Sequence, residues 1–419
     1  MRQTSPMAAP DTPRVIPRPE HTLSRRDISL EALKVLYRLH HTGYLAYLVG
    51  GSVRDLLVGK RPKDFDIATD ARPGEIRKLF RNSRVIGRRF RLVQVYFRGG
   101  RIVEVSTFRR RSEFEDRADD VLVGNNTFGT PAEDAQRRDL TINGLFYNIG
   151  DFSLVDYVGG LQDLREGLIR VIGDPAVRFH RDPVRMLRVL RHAARLGFRI
   201  DPPAWEEIRR QRHNIRLCPP ARLRDELLKD LKSGAARPFL ELMLPSGLFY
   251  AILPSWQKRL GKKGEARLLE LCHRLDLLAA GEFPPPEGLI WAAFLTPYLE
   301  QESLPETYAG LREVMPEKVR QALAAIEFPR QRQEEVSQVL ALAWALTPLL
   351  LAGKAAPARL ARLVAYREAL RLHRFWKAPQ EELPHLVEAE EAPPDLPPVK
   401  RRRRWRRRPR APRPSPPKT

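Results

Sequence analysis

The stretch Leu48–Asp70, LVGGSVRDLLVGKRPKDFDIATD, constrains the fold of this chain more than any other segment. A short apolar run halts at a glycine pair, as a buried strand and its turn do. A helical span follows, and then an acidic strand. Asp64 and Asp66 lie two residues apart, so on a strand they project from one face while Phe65 and Ile67 point to the other. Two carboxylates so placed repel each other unless a cation sits between them. A hard ion such as Mg²⁺ suits one or two carboxylates plus substrate phosphates. A solvated acidic strand end has the same sequence, so the pair alone does not decide.

The glycines are equally two-sided. Gly50 and Gly51 at a strand-to-helix turn let the backbone approach a phosphate, and the helix N-terminus offers free N–H groups. Arg54, one turn into the helix, is placed to reach the same anion. A tight turn with close packing needs the same glycines. The segment is not a P-loop, which would need glycine at position 54 and Ser or Thr at 61, where Arg54 and Arg61 stand. Glu104, in RIVEVSTF, faces away from Val103 and Val105, and a neighbouring strand could bring it to the acidic pair.

The rest of the chain divides by period. Ser29 is a candidate N-cap for a helix with Leu30, Leu33, Tyr37 and His40 on one face. FRLVQVYF and RIVEVSTF alternate as strands, ARPGEIRKLF between the acidic strand and these is a short helix, and RRDLTINGLFYN is a further helix. SLVDYVGG and LIRVIGD close an α/β unit near Gly173. Beyond it the pattern is helical: DPVRMLRVLRHAARLGF sets Met186, Leu187, Leu190, Ala194 and Leu196 on one face. The expected class is α+β, an N-terminal α/β domain with a small mixed sheet followed by an irregular all-α region, with disordered termini. The expected divisions are an arm over 1–23, a head over 24–174, helical regions over 175–245 and 246–376, and a Pro/Arg-rich tail over 377–419.

Charge names the class of partner. The chain of 419 residues carries a net charge of +23. Residues 396–419 contribute eleven Lys and Arg and no acid, and without them the charge is still +12. Such a surplus favours a polyanion, and the tail suits phosphate contact, with Trp405 free to stack on a base. Cys218 and Cys272 are too few for a zinc set or a disulfide framework. No transmembrane segment is expected: the longest apolar run, Val339–Gly353, is broken by Pro348 and reads as a buried helix pair.

Three motifs now stand in order, and together they resemble a known family. The Leu48–Thr69 stretch is similar to the signature of the class II nucleotidyltransferases, which comprise the CCA-adding enzymes and the bacterial poly(A) polymerases. Arg137–Asn148 resembles that family's second motif, and Arg181–Phe198 its nucleotide-selecting motif. The resemblance implies that Asp64 and Asp66 bind Mg²⁺, with Mn²⁺ as a substitute, and that Gly50, Gly51 and Arg54 hold a triphosphate. It implies that Asp139 is a further active-site carboxylate beside Glu104, with Arg138 and Asn143 shaping the ribose and phosphate side. Asp182 and Arg185 would read the edge of the incoming base, one accepting and one donating.

Val85–Phe97, the segment from Val15 to Tyr44 and the Arg/Pro tail resemble the poly(A) polymerase branch. That branch implies a cytoplasmic, template-independent enzyme transferring AMP from ATP to RNA 3′ ends, with RNA-decay or RNA-chaperone proteins as partners. The alternative is a CCA-adding tRNA nucleotidyltransferase.

Overall fold

Ser29 caps the first long helix: its Oγ accepts the Ala32 N–H at 3.2 Å, a contact of about 1 kcal/mol. The structure is a computed structural model describing residues 12–87, 91–110, 128–281 and 284–386. The head runs β1 (Arg14–Ile16), α1 (Leu30–His41), β2 (Ala46–Val49), α2 (Gly51–Leu57), β3 (Asp66–Thr69), α3 (Pro73–Leu79), β4 (Ser83–Ile86), β5 (Leu92–Tyr96) and β6 (Ile102–Thr107). It continues through α4 (Pro131–Arg137), β7 (Leu145–Asn148), β8 (Leu154–Asp156), α5 (Gly160–Glu166) and β9 (Leu168–Ile169). Then come α6 (Pro175–Arg181), α7 (Val184–Leu196), β10 (Arg199–Ile200), α8 (Pro202–Gln211) and α9 (Pro220–Leu231).

Eight strands form one mixed sheet in the order β1-β8-β7-β2-β3-β6-β5-β4. Every neighbouring pair is antiparallel except β3 and β6. β2 is buried along its whole length, as its unbroken apolar run requires. Leu48, Ile67, Val105 and Tyr147 belong to one core on one side of the sheet; Val49, Ala68, Phe108 and Phe146 form a second.

Beyond the head the chain is helical. Helices Ala236–Ser246, Pro254–Ala279, Glu287–Leu299 and Arg330–Leu351 follow α9, and Phe249, Trp256, Phe294 and Tyr298 pack ring to ring among them.

Six expectations are corrected. Residues 14–23 are not part of a disordered arm: β1 pairs with β8, and Ile16 and Leu23 are buried. A three-residue edge strand is too short to stand out in a Pro-rich composition. In α1 the core takes Ala32, Val35, Leu36 and Leu39 rather than the Leu30 face; the helix is apolar on both sides, so period alone cannot choose. In α7, Val184, Val189 and Ala193 are buried with Met186, Leu187 and Leu190, whereas Ala194 and Leu196 are only partly covered. The segment after Arg137 is not a long helix: α4 ends there, Arg138 is extended, and a 3₁₀ turn at Thr141–Asn143 leads into β7. Arg330–Leu351 is one continuous helix despite Pro348 rather than a pair. It is the one described helix long and apolar enough to cross a membrane, and it packs against Glu287–Leu299, Tyr308–Ala322 and Tyr366–Lys377.

Of the expected disordered tail, the described part is ordered, with a 3₁₀ turn at Gln380–His385 that buries Leu383; residues 387–419, with Trp405, and the Arg88–Phe90 part of the basic stretch lie outside the described residues.

Candidate functional site

The parallel pairing of β3 and β6 sets Asp66 directly opposite Glu104. Gln94 on β5 donates to Glu104 Oε1 at 2.8 Å, and Tyr96 donates its hydroxyl to Gln94 at 3.0 Å, so Glu104 is held by a two-step relay. Asp66 opens to solvent at the start of β3. Surrounding protein mass, then the charge of Glu104, raise its carboxyl to about 6; Arg138 opposes this, and Asp64 adds to it. Asp64 itself lies exposed just ahead of β3. Among the described residues no group of three or more His, Cys, Asp or Glu gathers into a closed metal cage. A repelling carboxylate pair with room beside it is instead the donor set for a hard cation that also takes substrate oxygens.

Gly50 ends β2 at φ 71° and ψ −139°, outside the range of ordinary side chains. A Cβ there would stand 3.2 Å from Arg138 Nη1 and 3.8 Å from Asp66 Oδ2. The glycine thus brings a backbone turn, a guanidinium and a carboxylate to one point. Arg138 is aimed by three partners: Asp134 Oδ2 at 3.0 Å, the Asn143 carbonyl at 3.4 Å, and the Phe146 ring, 5.0 Å beneath its guanidinium.

Arg54 is turned inward. Its Nη1 donates to Asn143 Oδ1 at 2.7 Å and lies 3.2 Å from His192 Nδ1, and it pairs with Asp55 at 2.7 Å. These acceptors hold the guanidinium beneath the glycine turn, its Nη2 3.4 Å from where a Cβ of Gly51 would stand, while Arg138 faces Gly50. Asn143 passes the link on, donating Nδ2 to Asp139 Oδ1 at 3.2 Å. Asp139 also accepts from Arg188 Nε at 2.6 Å. Burial alone would push the Asp139 carboxyl up, but the Arg188 charge and these hydrogen bonds hold it well below the usual carboxylate range. Burial, then the charge of Arg54, keep His192 neutral.

Asp182 sits between α6 and α7, where Pro183 interrupts the helical run. The break lets Asp182 leave the helix surface. Arg185 approaches it at 3.8 Å, and Arg222 on α9 donates to both of its oxygens at 2.9 and 3.1 Å. One cleft of about 380 Å³ is lined by Gly50, Gly51, Asp66, Arg138, Asp139, Asn143, Asp182 and Arg185, joined by Arg188 and Arg222. Arg54, Asp64 and Glu104 are not among its lining residues.

Arg188, His192, Arg222 and Gln94 carry no signal in isolation. Arg185, Arg188 and His192 recur at helical spacing on α7, which marks a polar stripe on a largely buried helix; Gln94 meets Glu104 ten residues on, across the β5–β6 hairpin, and Arg222 is brought in by tertiary structure.

Residues 46–170 match the family described as the poly A polymerase head domain, and residues 197–260 the family described as the probable RNA and SrmB-binding site of polymerase A. Poly(A) polymerase I of Salmonella typhi is 50% identical over 262 residues, 61% of this chain and 56% of that protein. By these matches the chain resembles the class II nucleotidyltransferases. Within this family, poly(A) polymerase I of Haemophilus influenzae is 43% identical over 249 residues, 58% of this chain and 55% of that one. The CCA-adding enzyme of Bacillus licheniformis is 38% identical over 273 residues, 64% of each. The chain spans little more than half the length of the poly(A) polymerases it matches. The fold is shared with a solved CCA-adding enzyme in its apo form II, at a TM-score of 0.62 and 21% identity over 86% of this chain and 83% of that one. That likeness covers the mixed sheet and the helical region beyond it.

Proposed function

We propose that this nucleotidyltransferase is a template-independent polynucleotide adenylyltransferase, adding AMP from ATP to RNA 3′ ends with release of pyrophosphate. The observation that carries the reading is one cleft in which a glycine turn, four arginines and carboxylates from separate elements meet. In the reaction the RNA 3′-oxygen forms a bond to the α-phosphorus of ATP, and the bond from that phosphorus to the pyrophosphate oxygen breaks.

Gly50 and Gly51 let the triphosphate lie against the backbone, and Arg138 supplies the nearest positive charge. Arg54 supports this indirectly, by fixing Asn143. Asp64 and Asp66 would hold Mg²⁺ or Mn²⁺, which when bound neutralises phosphate charge and activates the attacking hydroxyl. Glu104 is favoured as the third carboxylate because it faces Asp66, whereas Asp139 is neutralised by Arg188 and serves to position Asn143. Asp182 and Arg185 read the base edge.

The head is taken to end near residue 174, with a nucleotide-selecting and neck region to 245 and an RNA-binding body to 376. The basic tail would hold RNA by its backbone, in the cytoplasm, where RNA-decay or RNA-chaperone proteins are the expected partners.

The CCA-adding reading keeps a place because relatives of that activity match over 64% of the chain. Incubation of the protein with a generic RNA, or with tRNA lacking its 3′ end, and each NTP singly separates the two. Long A tracts on either RNA support the polymerase. CTP use confined to truncated tRNA supports the alternative, and inactivity with every NTP and either metal removes both.

A further inference from the structure

The side of α1 that the core leaves uncovered does not face bulk solvent alone. Leu30, Leu33 and Tyr37 line a second cleft of about 690 Å³, within the range of small-molecule sites. Its other walls come from Arg18, Arg25, Arg26, Tyr147 and Phe152. It shares no lining residue with the cleft around Asp66. The strand alternation of β7 separates the two: Phe146 lies under Arg138, while its neighbour Tyr147 turns to the other side of the sheet.

Three features give this cleft a ligand chemistry. First, its charge is of one sign, with three arginines and no carboxylate in the lining. Second, planar faces are already organised. The Arg25 guanidinium lies 4.2 Å over the Phe152 ring and donates to the Tyr37 hydroxyl at 2.6 Å. Phe152 is the one described non-glycine residue at positive φ, 63°. Its carbonyl is 2.9 Å from His21 Nε2, and Arg18 in turn donates to the His21 carbonyl at 2.8 Å. Third, the fully buried Tyr147 has no hydrogen-bond partner for its hydroxyl among the described residues. An unpaired buried hydroxyl is costly, and a ligand entering the cleft could satisfy it.

We propose that this cleft is a second nucleotide site, taking a nucleoside phosphate with the phosphate at Arg18, Arg25 and Arg26 and the base against Tyr37. An acidic peptide would use the arginines but not the aromatic wall; base and phosphate together use both. The nucleotide comes either from the RNA chain or from the free pool.

Photo-labelling of the full chain with 8-azido-AMP, followed by peptide mapping, tests this. Label is expected on Tyr37 or Tyr147 themselves, located by sequencing the labelled peptides, in addition to any at the Asp182 cleft. Arg26→Gln should reduce this second label at least fivefold; the Arg26 side chain makes no hydrogen bond or ion pair among the described residues, so the fold is spared. Tyr147→Phe should reduce it severalfold with the melting temperature held. Competition by a short oligoadenylate assigns the site to RNA, and competition by AMP alone assigns it to free nucleotide; both support the proposal. Label absent from these residues, or competed equally by inorganic phosphate, overturns it. A chain inactive with every NTP but labelled here would sink the catalytic reading and leave this one standing.

Discussion

Arg222, on α9, grips both carboxylate oxygens of Asp182 from outside the nucleotide-selecting segment. On the proposed reading, the side chain that faces the base edge is therefore not free to choose its own orientation. Charge-assisted bidentate contact fixes it in one pose, and a fixed pose accepts one pattern of donors and acceptors. We expect Arg222→Ala to cost about tenfold in the preference for ATP over CTP, a loss of about 1.4 kcal/mol. Incorporation measured with each NTP alone checks this; an unchanged ratio would mean that Arg222 only props the fold.

Asp66 and Asp64 stand where a hard cation would be held, and Glu104 faces Asp66 across the sheet. Asp66→Ala or Asp64→Ala should lower Mg²⁺-dependent AMP incorporation by about three orders of magnitude or more. RNA affinity in a filter assay should stay within about twofold, since the basic surface is untouched. Near-normal turnover in either variant would remove that residue from the catalytic set.

Arg188 is the charge that keeps Asp139 ionised inside the protein. Arg188→Ala leaves a carboxylate buried without its main partner, which costs about 3 kcal/mol. Urea denaturation should show that loss, and Asp139→Asn added to Arg188→Ala should recover part of it. A double variant no more stable than the single one contradicts the pairing.

His192 gives a pH dependence with a definite sign. Its pKa lies well below the ordinary 6.5, pushed down by burial and by Arg54. The unfolded chain takes up a proton near pH 6.5 that the folded chain refuses. Stability is therefore full above that pH and falls as the pH drops below it, by up to about 1.4 kcal/mol per unit. The melting temperature of His192→Gln should fall less steeply between pH 7 and 5 than that of the parent chain. Parallel slopes would show that His192 titrates normally.

The tail makes a prediction about salt. Each tail cation that meets a phosphate adds about 0.7 to the slope of log affinity against log salt for single-stranded RNA. Removing residues 396–419, with their eleven Lys and Arg, should flatten that slope by several. Binding measured from low to moderate salt decides it, and an unaltered slope means the tail does not touch RNA.

The sequence and the structure agree most where chemistry is local. Gly50 needs its φ, Ser29 needs its N–H, and Asp66 needs its strand; each is readable from neighbours alone. Arg54 was not readable in this way. Its position in the motif suggested the phosphate side, but Asn143 and His192, distant in the chain, turn it inward. Arg222 likewise acts only through a contact that closes late in sequence, 40 residues from Asp182. The face of α1 was ambiguous for a different reason: both of its sides are apolar, and only the sheet's position chooses between them.

The lone parallel pairing in the sheet has a kinetic meaning. β3 and β6 cannot meet by a hairpin; the chain must first lay down α3, β4 and β5 between them. Asp66 and Glu104 are thus strangers until that detour is complete, and Arg54 waits for a histidine 138 residues away. Contacts of such separation form slowly and together. A chain still emerging from synthesis therefore has the parts of the cleft but no cleft until Arg222 has followed.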